Sequence, residues 1–216
     1  MKLKKIASLA LAGIMAVSML AGCKDGSSSS EPTNPVTPVT GAASVVNGEL
    51  DKNADDISFA DNAVLTNLLT NYYKENRIDS SVWNGNHSSL QNVGDTGLWD
   101  AVDGILGLNS SNRAIQSGVN TRKTSNGSTT YCNIYWINND FVTREDALRM
   151  VGQEMDALTL PGDNEYVSVN YPATNKPATH DYSYTGSVAA IEAESEGGTE
   201  SVWVIAVTVT QTATHK

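Results

Sequence analysis

The apolar positions of the chain follow helical spacing in three segments. Residues 61–76 carry apolar side chains three and four positions apart, which predicts an amphipathic helix with Asp61 as its N-cap. The same spacing predicts a second, shorter helix that begins near Asp95 and ends at Gly107. A third helix is predicted to begin at Thr143, where a near capping box precedes another apolar stripe.

Alternating apolar and polar residues predict strands in the remainder of the chain. Residues 114–123 and 129–138 flank an Asn-Gly pair, which is the strongest short-range signal for a hairpin. Residues 165–171 form another predicted strand. The last two strands, at about 182–195 and 200–212, are predicted to form a second hairpin around a Gly-Gly turn.

These elements predict an α+β fold. Residues 202–207 are apolar at successive positions, so the last strand is expected in the middle of the sheet. Strands joined by hairpins imply an antiparallel sheet of about five strands, and two or three helices are expected to pack on one of its faces. The order of the strands does not follow from the sequence.

The first residues have the pattern of a secretory leader. Residues 1–22 contain three lysines, an apolar run from Ile6 to Leu20 and small residues before Cys23. The segment Leu20-Ala-Gly-Cys23 resembles the lipobox of bacterial lipoprotein precursors. This resemblance covers residues 1–23 alone. It implies cleavage before Cys23, a diacylglyceryl lipid on its thiol, and a domain held on the outer side of a cell membrane. An ordinary cleaved leader with an incidental cysteine is the alternative.

The organisation predicted for the rest of the chain is a tether followed by one domain. Residues 23–54 begin with the lipidated cysteine and are rich in Ser, Pro and Thr, a composition that cannot bury enough apolar surface to fold. Residues 55–216 carry the predicted helices and strands and are expected to form a single α+β domain. With the signal peptide at 1–22, these segments account for the whole chain.

Charge and cysteine content narrow the classes of partner. The chain has 24 Asp and Glu residues against 14 Lys and Arg residues, which gives a net charge of −10. Such an acidic surface argues against nucleic acid as a partner, because nucleic-acid binding depends on Lys and Arg contacts to phosphate. Two cysteines exclude a disulfide scaffold. Cys132 lies in the middle of a predicted strand, where a buried and unreactive thiol is expected.

Motifs for catalysis, metal binding or cofactor binding are absent from the sequence, so no cofactor is expected. The sequence contains no G-x-S-x-G, no H-E-x-x-H and no paired Cys and His ligands. His87 and His180 are predicted to lie in surface loops. Each is a candidate general base if the protein is a hydrolase.

Aromatic residues outside the predicted core are the candidate ligand-binding residues. Trp83 lies in a loop rich in Asn and Ser, and Tyr182 and Tyr184 share one face of a predicted strand. Aromatic side chains in polar surroundings offer flat apolar area together with hydrogen bonds, which sugars and peptides both use. Packing of Trp83 against the core is the alternative.

The sequence favours a membrane-anchored, extracytoplasmic lipoprotein without enzymatic activity, whose domain binds an envelope protein, a glycan or a peptide. An envelope hydrolase that uses His87 or His180 is a second hypothesis. A structural spacer or assembly subunit of the cell surface is a third hypothesis. The oligomeric state stays open.

Overall fold

The computed structural model describes residues 36–50, 56–76, 87–123, 125–162, 165–167, 178–194 and 200–215. In chain order the elements are β1 (Val36–Val39), α1 (Ala42–Asn47), β2 (Phe59–Asp61), α2 (Ala63–Glu75), β3 (Gln91–Asn92), α3 (Thr96–Leu106), a 3-10 turn (Ser110–Asn112), α4 (Ile115–Val119), β4 (Gly127–Asn138), α5 (Arg144–Asp156), β5 (Glu165–Val167), β6 (Ala178–Glu194) and β7 (Ser201–His215).

The strands form one sheet in the order β1-β6-β7-β4-β3. Neighbouring strands in this order are antiparallel; β5 also pairs antiparallel with β6, whereas β2 pairs parallel with it. The β6–β7 hairpin is the longest pairing, from His180 opposite His215 to Glu194 opposite Ser201. The predicted α+β class, the last hairpin and the central position of β7 are therefore confirmed.

Helices cover both faces of this sheet. On the face that we call the α5 face, α1, α4 and α5 pack on β7 residues such as Ile205 and Val207. On the opposite face, called the α3 face, α2 and α3 pack on Val204 and Ala206. The prediction that the helices cover one face is wrong. The apolar residues on both sides of β7 each need a cover, and α2 and α3 supply the second one.

Three helices have the positions that the sequence predicts, with one change of cap. α3 begins after Asp95 and ends at Gly107, and α5 begins after Thr143, whose Oγ1 accepts a hydrogen bond from the N–H of Asp146. α2 begins after Asn62 instead of Asp61, because the Asn62 side chain accepts from the N–H of Leu65. Two further helices, α1 and α4, are not predicted by the apolar spacing.

The folded domain begins earlier than predicted. β1 pairs with β6 from Val36 opposite Ala193 to Val39 opposite Ala190, and Val46 of α1 is fully buried. The described residues from 36 onwards belong to one compact unit. The prediction of a tether through residue 54 is therefore wrong for residues 36–50. Pro and Thr made this segment resemble a linker, but an edge strand tolerates a proline.

The predicted hairpin of residues 114–123 and 129–138 does not form. Residues 115–119 are helix α4, and β4 pairs with β7 along its whole length, from Gly127 opposite Ala213 to Asn138 opposite Val202. The burial of β4 and β7 side chains on both faces outweighs the local turn signal.

Within the described residues, no helix is long and apolar enough to cross a membrane.

Candidate binding groove beside Arg113

A groove of about 470 Å³ opens at the outer edge of β4, at the point where the short strand β3 ends. This volume lies in the range of small-molecule binding sites. The chain crosses the β4 edge here, from α3 on one face of the sheet to α4 on the other. The lining combines one aromatic side chain, one cation, amides and a hydroxyl: Asn92, Val93, Trp99, Arg113, Ala114, Gln116, Ser117 and Asn133. We call it the Arg113 groove.

The indole of Trp99 is fixed by the start of α3. The Asp95 carboxylate accepts hydrogen bonds from the N–H groups of Gly97 and Leu98, at 2.9 and 3.2 Å, and thereby caps the helix. One turn later, Trp99 Nε1 donates to the carbonyl oxygen of Val93 at 2.9 Å. Trp99 is almost fully buried, so it contributes a rigid apolar wall to the groove.

The Arg113 guanidinium lies over this indole and is held by carboxylates of α3. Its centre is 5.1 Å from the Trp99 ring centroid. Arg113 Nε and Nη2 donate to one oxygen of Asp103, at 3.2 and 2.7 Å, and Asp100 lies 3.6 Å from Nη2. These contacts, the Asp103 hydrogen bond first, raise the pKa of Arg113. The cation is thus balanced by carboxylates within the groove wall.

Asn133 of β4 fixes the opposite wall. Its Oδ1 accepts a hydrogen bond from the N–H of Ile115 at 3.0 Å, which replaces the missing intrahelical partner at the start of α4. Its Nδ2 donates to the hydroxyl of Tyr135. Gln116 and Ser117 of α4 then project at the rim, where both are exposed. The groove therefore has a rigid floor and polar, adaptable rims.

This arrangement suits the binding of a polar molecule. Amides, a hydroxyl and a guanidinium supply hydrogen-bond donors and acceptors, and Trp99 supplies apolar area. In the described part of the chain, no group of three His, Cys, Asp or Glu side chains is placed to hold a metal ion.

A second polar feature lies on the α3 face and begins at the N-terminus of α2, where the cap residue Asn62 donates to Ser187 Oγ at 3.0 Å. Three neighbouring strands present rows of hydroxyl side chains there. We call this surface the hydroxyl face, and it consists of Ser128 and Thr130 of β4, Thr208, Thr210 and Thr212 of β7, and Ser183, Thr185 and Ser187 of β6. Of these residues, Ser128, Ser183 and Thr185 are exposed to solvent, whereas Thr208 is buried.

The predicted aromatic binding surface is not present in the described residues. Tyr182 and Tyr184 point to the α5 face and are buried, with 7% of each residue exposed. Their hydroxyls donate to the carbonyl oxygens of Lys123 and Pro161, at 3.0 and 2.9 Å. The prediction that both tyrosines are exposed is wrong, because alternation along β6 turns them towards a helical layer. Trp83 lies outside the described residues.

The two candidate catalytic histidines lie at opposite ends of the sheet. His180 is buried in β6 opposite His215, so the prediction of a surface loop is wrong for it. His87 is half-buried near the other end, where its carbonyl oxygen accepts from the N–H of Asn138 and its ring lies against Trp136 with centroids 4.8 Å apart. They do not form a common site.

A cavity of about 340 Å³ lies near His87, between α5 and residues 88–90. It is lined by Ser88, Ser89, Leu90, Met150, Gln153, Glu154 and Ala157. Ser88, Gln153 and Glu154 are exposed on the open surface. This cavity lacks the rigid aromatic wall of the Arg113 groove and is therefore less suited to holding a ligand in one orientation.

Cys132 is buried, as predicted, on the α3 face of β4. Burial, and then the nearby Asp103 carboxylate, raise the pKa of its thiol to about 12. A thiol with this pKa stays protonated at neutral pH and is a poor nucleophile.

Sequence reasoning missed the groove residues. The available signal was the pair Asp100 and Asp103, one turn apart on α3, which a cation can bridge. The cation that bridges them is Arg113. Its position depends on how the chain turns after α3, and the spacing of residues in the sequence does not predict that turn.

Comparisons with protein-family models, with curated proteins and with solved structures find no match to this chain.

Proposed function

We propose that this protein is a lipid-anchored, extracytoplasmic binding module that holds its ligand in the Arg113 groove. The observation that carries the proposal is the groove itself. It has a rigid Trp99 wall, a guanidinium fixed by Asp103, and the polar side chains of Gln116 and Ser117 at its rim.

The anchor rests on the sequence of residues 1–23. A lipid on Cys23 would hold the chain at the membrane, and residues 24–35 would separate the domain from the bilayer by an extended length of about 3 Å per residue. A domain held in this way meets envelope proteins, wall glycans and peptides.

The charge balance in the groove favours an uncharged, polar ligand. Arg113 is already paired with Asp103 and approached by Asp100, so an anionic ligand would have to compete with two carboxylates. A cationic ligand would meet the guanidinium itself. Neutral sugars and peptide amides carry the donors and acceptors that the amides of Asn92 and Gln116 match.

A binding experiment tests this function. The full chain, purified in detergent and immobilised, is exposed to solubilised envelope and wall fragments, and the retained molecules are identified by mass spectrometry. We expect a dominant ligand whose retention is lost in Arg113→Gln. Arg149→Gln on α5 is the matched control, because it removes the same charge from an exposed site away from the groove.

Retention of nothing, or equal retention by Arg113→Gln and the native chain, would refute binding in the groove. The same fragments then test the hydrolase hypothesis, since cleavage lost in His87→Ala would favour an enzyme. A chain that neither binds nor cleaves would favour the structural spacer.

The anchor has a separate test. We expect a palmitate analogue fed to the producing cells to label the native chain but not Cys23→Ser, and the chain to sediment with membranes only when it is labelled. An unlabelled native chain released into the medium would contradict the anchor.

A further inference from the structure

The hydroxyl face is a regular two-dimensional array. Each row crosses three strands: Ser128, Thr212 and Ser183 form the outer row, and Thr130, Thr210 and Thr185 form the next. Neighbouring strands are about 4.8 Å apart, and alternate residues along a strand are about 6.7 Å apart. Hydroxyl and methyl groups therefore recur at fixed intervals over three strands.

The array is held rigidly. Ser128 and Thr212, Thr130 and Thr210, and Ser187 and Thr208 are joined in pairs by hydrogen bonds of 2.8, 2.8 and 2.7 Å between their hydroxyls. Threonine side chains have few rotamers, and β7 is paired on both edges. A ligand that binds here loses little free energy to ordering of the protein, and the exposed hydroxyls of Ser128, Ser183 and Thr185 can form further hydrogen bonds.

The array is uncharged on a strongly acidic protein. The chain has a net charge of −10, yet the two outer rows contain only Ser and Thr, and Asp181 lies one row beyond Ser183. A polyanion would be repelled by the surrounding surface, and a polycation would find its partners elsewhere. A second copy of this chain would bring a second net charge of −10 to the contact. A neutral polymer meets neither difficulty.

The array begins close to the Arg113 groove along β4. Thr130 is three residues from Asn133, which lines the groove, so the two lie about 10 Å apart along the strand. A linear ligand that leaves the groove along β4 can therefore reach the hydroxyl face.

We propose that the hydroxyl face is an extended binding surface for a neutral polysaccharide chain, one residue of which occupies the Arg113 groove. This inference rests on the proposed function and names its ligand class. Sugar hydroxyls exchange hydrogen bonds with the rows of Ser and Thr, while the threonine methyl groups contact the C–H faces of the sugar rings. Affinity then increases with the length of the glycan.

The test compares short and long glycans on the full chain in detergent. The probes are neutral oligosaccharides of glucose and of N-acetylglucosamine, each as a disaccharide and as a hexasaccharide, measured by calorimetry. For a preferred series, we expect the hexasaccharide to bind about tenfold more tightly than the disaccharide, because its additional sugar residues form hydrogen bonds with the hydroxyl face.

Replacement of the threonine hydroxyls distinguishes the contribution of the hydroxyl face to glycan affinity from that of the Arg113 groove. The variant Thr185→Val/Thr210→Val/Thr212→Val retains side-chain shape and strand propensity, so we expect it to fold, to bind the disaccharide as the native chain does, and to lose the tenfold advantage of the hexasaccharide. Thr37→Val in the edge strand β1 is the matched control and leaves both affinities unchanged.

The outcomes distinguish the two proposals. Equal affinity for short and long glycans, or a length advantage that survives the triple variant, overturns the hydroxyl face while the groove stands. A length advantage that is unaffected by Arg113→Gln overturns the groove. Binding of neither neutral series, equal binding of a carboxylated hexasaccharide, or a dimer in sedimentation equilibrium that the triple variant dissociates would each overturn the polysaccharide proposal.

Discussion

The Arg113 guanidinium lies 5.1 Å from the centroid of the Trp99 ring and donates to Asp103 at 2.7 Å. This one side chain links the turn after α3 to the helix itself and forms a wall of the groove. The side chain of Arg113 is 26% exposed and that of Asp103 is 16% exposed, so the pair is partly shielded from water.

Replacement of Arg113 tests how far this link stabilises the fold. We expect Arg113→Gln to lower the free energy of unfolding by about 1–2 kcal/mol, because the ring contact is lost and Asp103 is left half-buried without its cation. Urea denaturation measures the change. Asp100→Asn is the control, since Asp100 is 82% exposed and should contribute less than about 0.5 kcal/mol. Equal effects of the two variants would contradict the link.

Asp61 joins the first helix to the rest of the domain. Its carboxylate oxygens accept from the N–H groups of Gly41 and Ala43, at 3.0 and 2.8 Å, and therefore cap α1 from a strand distant in sequence. We expect Asp61→Ala to cost about 1–2 kcal/mol of stability and to speed hydrogen exchange at Ala43.

A smaller loss is expected for Asp61→Asn, because the amide oxygen can still accept one of the two hydrogen bonds. Unchanged exchange at Ala43 in Asp61→Ala would show that α1 does not depend on this cap.

Gly118 of α4 packs directly against an aromatic ring. A methyl group at this position would lie 2.2 Å from the Tyr131 ring. We expect Gly118→Ala to destabilise the protein by about 1–3 kcal/mol through this clash, and to separate α4 from β4. Thermal unfolding measures the effect.

Gly104 provides the control for that substitution. It lies inside α3, and a methyl group there would have no neighbour within 4 Å. Gly104→Ala should therefore raise stability by about 0.5–1 kcal/mol, as expected for an exposed helix interior. The same sign of change for both variants would contradict the close packing at Gly118.

The sequence predicts the elements whose own pattern determines them, and misses those that depend on distant residues. α3, α5 and the β6–β7 hairpin follow from apolar spacing, caps and a turn. α1 and α4 have only six and five residues, too few to be helical on local propensity. α1 depends on Asp61 and α4 on Asn133, and neither contact can be read from the segment itself.

The residues of the candidate site also depend on contacts between segments that are distant in the sequence. Sequence reasoning chose aromatic residues by the polarity of their neighbours in the chain, but Tyr182 and Tyr184 face a buried layer that only the sheet order reveals. The sequence contains the β7 part of the hydroxyl face, since Thr208, Thr210 and Thr212 alternate along one strand. Its width depends on the register with β4 and β6, which the sequence does not supply.

The pH dependence of stability reports the contact between α2 and α3. The Tyr72 hydroxyl donates to both oxygens of Asp95, each at 2.9 Å. Burial first, and then this hydrogen bond, raise the pKa of Tyr72 to about 12. Tyrosine in an unfolded chain has a pKa of about 10.

The direction of the effect follows from these two values. Below about pH 10 the phenol is protonated in both states, and its contribution to stability is complete. Between about pH 10 and 12 the unfolded chain loses the proton while the folded chain retains it, so the free energy of unfolding falls. Burial also raises the pKa of Tyr73, which adds to the fall.

We therefore expect the stability of the native chain, measured by urea denaturation, to decrease steeply as the pH rises above about 10. In Tyr72→Phe the decrease should be shallower, because this group no longer titrates in either state. The same variant should be less stable at neutral pH by about 1 kcal/mol, since the Asp95 carboxylate loses a hydrogen bond. Identical slopes in the two proteins would show that Tyr72 does not retain its proton through contact with Asp95.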